Sequence, residues 1–317
     1  MRKRIFRGWP AVALAALAVA AGMPGVSADA AAASGPVTQW GLEVFDLPSV
    51  PAEAASGVSA VSAGGINALA LKNGGVLVWG DNQYGQLTVP AGLASGVSAV
   101  ASGWGHELAL KAGRVYAWGN SWYGQTTVPA AATSGVTAIS SDVFHSLALK
   151  QNGQVLSWGS RTDVPVAAQS GVSAISAGGD HSLALKNGAV LAWGANRYGQ
   201  STVPAAAASG VTAVAAGYQH SLAIKNGAVL AWGDNQWGQT DVPPALSSGV
   251  TGIDSGGNFS VAWKADGTYY AWGFDDRGSV SNSPGCDISP QDGCRMTPGM
   301  LAISAGQQQI VALQAAA

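Results

Sequence analysis

The sequence predicts an all-β fold, a single seven-bladed β-propeller of about 39-residue repeats, and three observations point to it. Trp-Gly recurs at Trp40, Trp79, Trp118, Trp158, Trp193, Trp232 and Trp272, in steps of 39, 39, 40, 35, 39 and 40 residues. Ser-Gly-Val recurs at Gly57, Gly96, Gly135, Gly171, Gly210 and Gly249, and Pro298-Gly299-Met300 is a seventh, looser copy. Between the markers, short β-rich runs alternate with Gly and Asn turns. A fixed period of this length, built from short strands, means blades stacked around an axis.

Each element follows from its local pattern. SGVSAVSAGG opens a unit as a strand ended by a glycine turn, and HSLALK is the second strand. Lys-Asn-Gly reverses the chain as a hairpin, and AVLAWG is the third strand. The stretch around TVPA leaves room for a fourth, so a unit holds three or four antiparallel strands. Residues 301–313 supply the first two strands of a unit and residues 36–41 a third with nothing before it, so both termini are expected to build the last blade. Such closure removes exposed sheet edges.

Two units depart from the period. Trp158 to Val164 spans six residues where Trp79 to Val89 spans ten, so that blade has lost four residues after its Trp strand. Trp272 to Gly299 spans 27 where Trp79 to Gly96 spans 17, a ten-residue insertion at about 277–297.

The first segment reads as an address. Arg2, Lys3, Arg4 and Arg7 precede an apolar run from Pro10 to Met23, and small residues suited to cleavage follow at Val26-Ser27-Ala28 or Ala28-Asp29-Ala30. Residues 1–30 are therefore expected to be a signal peptide, and residues 31–317 one propeller domain, secreted to the extracellular space or a periplasm. No later stretch offers the roughly 20 apolar residues of a membrane span. Export makes Cys286 and Cys294 most simply a disulfide that staples the insertion. Removing four of 15 basic and one of 17 acidic residues leaves 11 against 16, a charge of −5.

Composition narrows the function. With 10% charged and 48% hydrophobic residues the chain is neither disordered nor a coiled coil. A formal charge of −2 gives no basic field for nucleic acid or an anionic membrane. His106, His145, His181 and His220 occupy one repeat position, held elsewhere by Asn67, Phe259 and Gln309, so they circle the axis instead of converging on a metal. They read as hydrogen-bonding residues at the start of the second strand. No histidine remains for a catalytic triad, and no phosphate or EF-hand loop is present. The expectation is a monomeric, non-enzymatic protein without metal or cofactor.

Strand parity then assigns loops to faces. The loops after the first and third strands share one rim, and the hairpins after the second strand lie opposite. One face collects Ile66, Trp104, Val143, Phe144, Asp180, Tyr218, Asn258 and Gln307 in the first loop type, and Tyr84, Trp122, Tyr123, Arg197, Tyr198, Gln236, Trp237 and Phe274 in the second. Asp81, Glu107, Asp142, Asp180, Asp234, Asp275 and Asp276 are expected on the same face. Lys72, Lys111, Lys150, Lys186, Lys225 and Lys264 form a solvated ring on the other. Aromatic side chains on loops held by a rigid scaffold are the usual material of binding hot spots. Tyr84, Tyr123, Tyr198 and Trp237 have an equal alternative reading, since they recur at one position and can simply pack each Gly-Gln turn. The seven Trp-Gly tryptophans read as core between blades.

The unit GGDHSLALKNGAVLAWGANRYGQSTVP resembles the repeat of the regulator of chromosome condensation family, which implies a seven-bladed propeller over residues 36–317. The links SGVSAISAGG, HSLALKNG, GQTTVPA and the short GSRTDVPVAAQSGV of residues 159–172 are also similar to those of secreted bacterial propellers that inhibit β-lactamases. That resemblance implies a protein target, a class A β-lactamase, held by Trp104, Phe144, Tyr218 and Phe259 of the first loop type and Tyr84, Tyr123, Tyr198 and Trp237 of the second. The chain departs from it at Asp180 and Gln307, which stand where aromatic residues are expected. The alternative is a general extracellular module that binds another protein or a cell-wall glycan.

Overall fold

The computed structural model describes residues 35–41, 50–275, 280, 287–289, 293–296, 300–307 and 309–314. The expected signal peptide, Cys286 of the expected disulfide, and Asp276 lie outside the described residues. Seven antiparallel sheets surround an axis, and the first strands of successive blades touch one another along it.

Blade 1 is Val58–Ala63, Asn67–Lys72 and Gly75–Gly80, and blade 2 is Val97–Ser102, His106–Lys111 and Arg114–Gly119. Blade 3 is Val136–Ser141, His145–Lys150 and Val155–Gly159; blade 4 is Val172–Ala177, His181–Lys186 and Ala189–Gly194. Blade 5 is Val211–Ala216, His220–Lys225 and Ala228–Gly233; blade 6 is Val250–Ser255, Phe259–Lys264 and Tyr269–Gly273. Blade 7 joins Met300–Ala305 and Gln309–Gln314 to Val37–Gly41, with Trp40 opposite Ile310, so both ends of the described chain close the ring.

Blades 1 to 5 and 7 have three strands each among the described residues, not four. In five of these blades the outer place is taken by a 3₁₀ turn, Ala52–Ala55, Ala130–Thr133, Val166–Ala168, Ala205–Ala208 or Pro244–Ser247. Each buries one side chain completely: Ala54, Ala132, Ala168, Ala207 or Leu246. A proline before each turn removes a donor and fixes φ, which favours a turn over another ladder strand. In blade 6 the insertion adds Asp287–Ser289 and Gly293–Met296, which pair with each other, and the second of them pairs with Tyr269–Ala271. The described part of the insertion thus extends the outer edge of that sheet.

Alternation of apolar residues cannot hold in the second strand, because it lies between two strands and between two blades. The first five residues of that strand are buried in all seven blades. The Trp-Gly tryptophans fill the seams between blades as the sequence implies: six are under 9% exposed, and Trp232 packs on the cluster of Val211 and Val214. The hairpins of blades 1, 2, 4 and 5 turn through two residues of positive φ, such as Asn73 at 50° and Gly74 at 75°. That is the turn whose twist matches the strands it joins.

The lysines beside these hairpins are not a free solvated ring. Lys72, Lys111, Lys150, Lys186 and Lys225 each donate to a carbonyl of the turn that precedes their own blade, at Glu53, Gly92, Ala131, Ala167 and Ala206. A long stem lets each ammonium reach unsatisfied carbonyls while staying wet. No helix among the described residues is long and apolar enough to cross a membrane.

Candidate protein-binding face

The rim that carries the site is built on a bond ring between blades. His106, His145, His181 and His220 place Nε2 within 2.9–3.1 Å of Ser146, Ser182, Ser221 and Ser260 of the next blade. Ser146, Ser221 and Ser260 donate onward to the carbonyls of Gln125, Gln200 and Gln239. A hydroxyl that has given its proton must accept, so His106, His181 and His220 are protonated on Nε2 and bare on Nδ1. Burial, foremost, holds the four pKa values down, to about 4 for His145 and about 3 for the others. Each ring lies so close to the inner loop that only glycine fits beneath three of them. A Cβ on Gly103 would stand 2.4 Å from His106 Cε1.

The same glutamine carbonyls accept the indole N–H of the next blade. Trp118 donates to Gln86, Trp158 to Gln125, Trp232 to Gln200 and Trp272 to Gln239, at 2.7–3.0 Å. The side chain of each of these buried glutamines turns back on its own loop and accepts the backbone N–H of Tyr84, Tyr123, Tyr198 or Trp237, at 2.7–2.9 Å. The four aromatic residues therefore sit on backbone fixed from below.

Their rings meet those of neighbouring loops. Tyr84 stacks edge-on with Trp122 at 5.1 Å and lies 6.3 Å from Trp104; Tyr123 meets Phe144 edge-on at 5.1 Å; Trp237 meets Phe274 at 4.4 Å. Trp122 is 71% exposed, and Tyr123 and Trp237 are 52% exposed. Tyr198 and Tyr218 are half-buried, and the guanidinium of Arg197 lies 5.5 Å over the Tyr198 ring. Trp104 and Tyr218 lean across the preceding blade, where a Cβ on Gly65 or Gly179 would lie 2.3 Å from the ring. Those two residues stand two places before the second strand and Phe144 one place before it, so the inner loop offers two aromatic positions, not one.

Phe259 does not belong to this face. It occupies the histidine position, is 2% exposed, and packs with Trp40 and Ile303 in the seam of blades 6 and 7. Asn258 fills the loop position, as strand parity has it, and the resemblance is one residue out at Phe259. Glu107 and Asp234 also leave the face, being 0% and 6% exposed. Glu107 lies in the buried first five residues of the second strand of blade 2, and Asp234 accepts from the buried Gln239 Nε2 at 3.0 Å. Strand parity places Trp122 and Phe274 in the loops of this face, but neither was among the residues expected to bind. The signal for Trp122 was an aromatic residue where other blades carry Gln83, Arg197 or Gln236.

At the axis the mouth is polar. Gln307 of blade 7 donates across it to Asp142 of blade 3 at 3.0 Å. Asp254, farther in, accepts the N–H groups of Ser255 and Ala305. Burial raises both carboxyls to about 7; these hydrogen bonds oppose it, and Asp254 and Asp180 add like charge at Asp142. Burial and the charges of Asp180 and Asp142 push the Tyr218 hydroxyl up as well. Among the described residues no group of three His, Cys, Asp or Glu is placed to hold a metal ion.

This geometry defines a class: a closed propeller with one aromatic loop face. The family model of the regulator of chromosome condensation (RCC1) repeat matches residues 172–200 and 211–239, in blades 4 and 5. No curated protein matches the sequence. Among solved structures, Prp20p of Saccharomyces cerevisiae, described with its binding to Gsp1p and histones, is similar with a TM-score of 0.69 at 18% identity, over 90% of this chain and 92% of that one. Human WBSCR16 is similar with a TM-score of 0.65 at 18% identity, over 90% and 99%. The ectodomain of the Arabidopsis thaliana receptor kinase ACR4 gives 0.59 at 22% identity, over 79% and 90%. At these identities the likeness is one of fold.

Proposed function

We propose that this protein is a secreted, non-enzymatic binding module that captures another protein on its aromatic face. One observation carries the reading: the exposed rings are paired, Tyr84 with Trp122 and Trp104, Tyr123 with Phe144, Trp237 with Phe274. Stacking on a sugar calls for flat, isolated rings. A patch of touching aromatic residues with a polar rim suits a protein interface. The loops are pinned by buried glutamines, so docking costs little ordering entropy.

The specific target we propose is a class A β-lactamase, occluded sterically. The support is the resemblance of the repeat links to β-lactamase-inhibiting propellers, together with the aromatic set Tyr84, Trp104, Tyr123, Phe144, Tyr198, Tyr218 and Trp237 on one rim. Titrating the protein into several class A β-lactamases that hydrolyse a chromogenic cephalosporin tests it. Stoichiometric loss of hydrolysis is the expected result. Full activity at micromolar protein against every enzyme would reject this target.

A further inference from the structure

The junction of blades 3 and 4 lacks a part that its counterparts have. In four other junctions a glutamine carbonyl from the loop of one blade accepts the indole N–H of the next. Blade 3 has lost four residues from this loop, between Trp158 and Val164, and with them the Gly-Gln turn. Trp193 is 8% exposed, and its Nε1 is buried without a hydrogen-bond partner. Ser182, whose equivalents donate to the same carbonyl, meets only His145 Nε2, at 2.9 Å. A buried donor without an acceptor is left desolvated and unpaired, so the fold gains whenever an acceptor arrives.

The shortened loop adjoins the aromatic patch. Ser160 N–H donates to the Phe144 carbonyl at 2.9 Å, and Phe144 stacks on Tyr123. This short segment, which covers the junction, is exposed at Ser160, Thr162 and Asp163. Its Arg161 is tethered by one ion-pair contact, 3.8 Å from Asp180, with the two side chains 33% and 44% exposed. Such a contact releases at small cost.

We propose that the blade 3–4 junction is a docking subsite for a β-turn of a partner protein. A backbone carbonyl of that turn takes the place of the missing glutamine carbonyl and accepts the Trp193 Nε1–H and the Ser182 hydroxyl. The partner thereby completes in trans the loop that this blade lacks. The proposal rests on the reading that this face receives a protein.

The test uses the protein labelled with ¹⁵N-tryptophan and, as probe, a cyclised unlabelled peptide of residues 119–128, the loop of blade 2. Trp193→Phe assigns the indole signal. The expected result is a downfield move of the Trp193 indole proton on titration. Insertion of Trp-Tyr-Gly-Gln between Arg161 and Thr162, which rebuilds the loop in cis, places the signal there without peptide and weakens peptide binding about tenfold. A Trp193 signal that ignores the peptide overturns the proposal. So does one already downfield and slow to exchange in the free protein, the mark of a trapped water. Trp122→Ala separates the two readings. If that variant alone loses inhibition of β-lactamase while Trp193 stays silent, the face stands and the subsite falls.

Discussion

Replacing Glu107 by Gln should make the protein less sensitive to rising pH. At the equivalent place blades 3 to 6 carry Ser146, Ser182, Ser221 and Ser260, each facing a histidine of the preceding blade. Blade 1 offers Asn67 in place of a histidine, and blade 2 answers with Glu107, 0% exposed, with the Ser102 hydroxyl beside it. Burial raises its pKa from the ordinary 4.5 to about 8, with the Ser102 hydroxyl opposing only in part. A folded pKa above the unfolded one means that stability is fully present below pH 4.5 and is lost as pH climbs through 8. Each pH unit in that window costs about 1.4 kcal/mol, so moving from pH 5 to pH 7 removes about 3 kcal/mol on account of this one group. Glu107→Gln keeps the shape and removes the charge. Urea unfolding followed by tryptophan fluorescence at pH 5, 6 and 7 should show the variant gaining on the parent by about that amount between the two ends. Parallel stability curves for the two proteins would refute the assignment of a buried, neutral Glu107.

The histidine ring predicts the opposite limb. Its pKa values are depressed from 6.5 to about 3 or 4, so its contribution is complete above pH 6.5 and lost as pH falls toward those values. His181→Gln, which borrows the residue of blade 7, should flatten the acid side by about 2 kcal/mol at pH 5, read from the same titration. Gly103→Ala should lower stability by about 1–3 kcal/mol, because its Cβ would press on His106 and on the Asp142 carbonyl 2.5 Å away; calorimetry checks this, and an unchanged Tm would count against the packing described. Trp122→Ala and Tyr123→Ala should each weaken capture of the target by about 2 kcal/mol with little change in unfolding midpoint, since both rings are largely solvent-facing; surface plasmon resonance and thermal scans together decide it.

The blade count and the closure by both termini were legible because each repeated residue serves its neighbour. Trp, Ser, His and Gln recur together, each bonded across a seam. What stayed hidden depended on a single place of register or on reach through space. Phe259 and Asn258 differ by one position, which is the difference between seam and rim. The lysines look like hairpin decoration until the stem is seen to span back to a turn 19 residues earlier. Tyr84, Tyr123, Tyr198 and Trp237 had two readings, and the structure joins them: the backbone N–H of each is held from inside, while the Tyr123 and Trp237 rings face outward. Strand parity located the rim but could not show that Trp122 would be its most prominent ring.

That division within one loop bears on how such a protein changes over generations. The glutamine inside the turn answers to the neighbouring blade, and the aromatic residue two places before it answers to whatever lies outside. A mutation at the outer place alters what is recognised while leaving the ring's closure untouched, and a mutation at the inner place does the reverse. Selection for a new target can therefore rewrite the rim blade by blade, with the scaffold inherited intact.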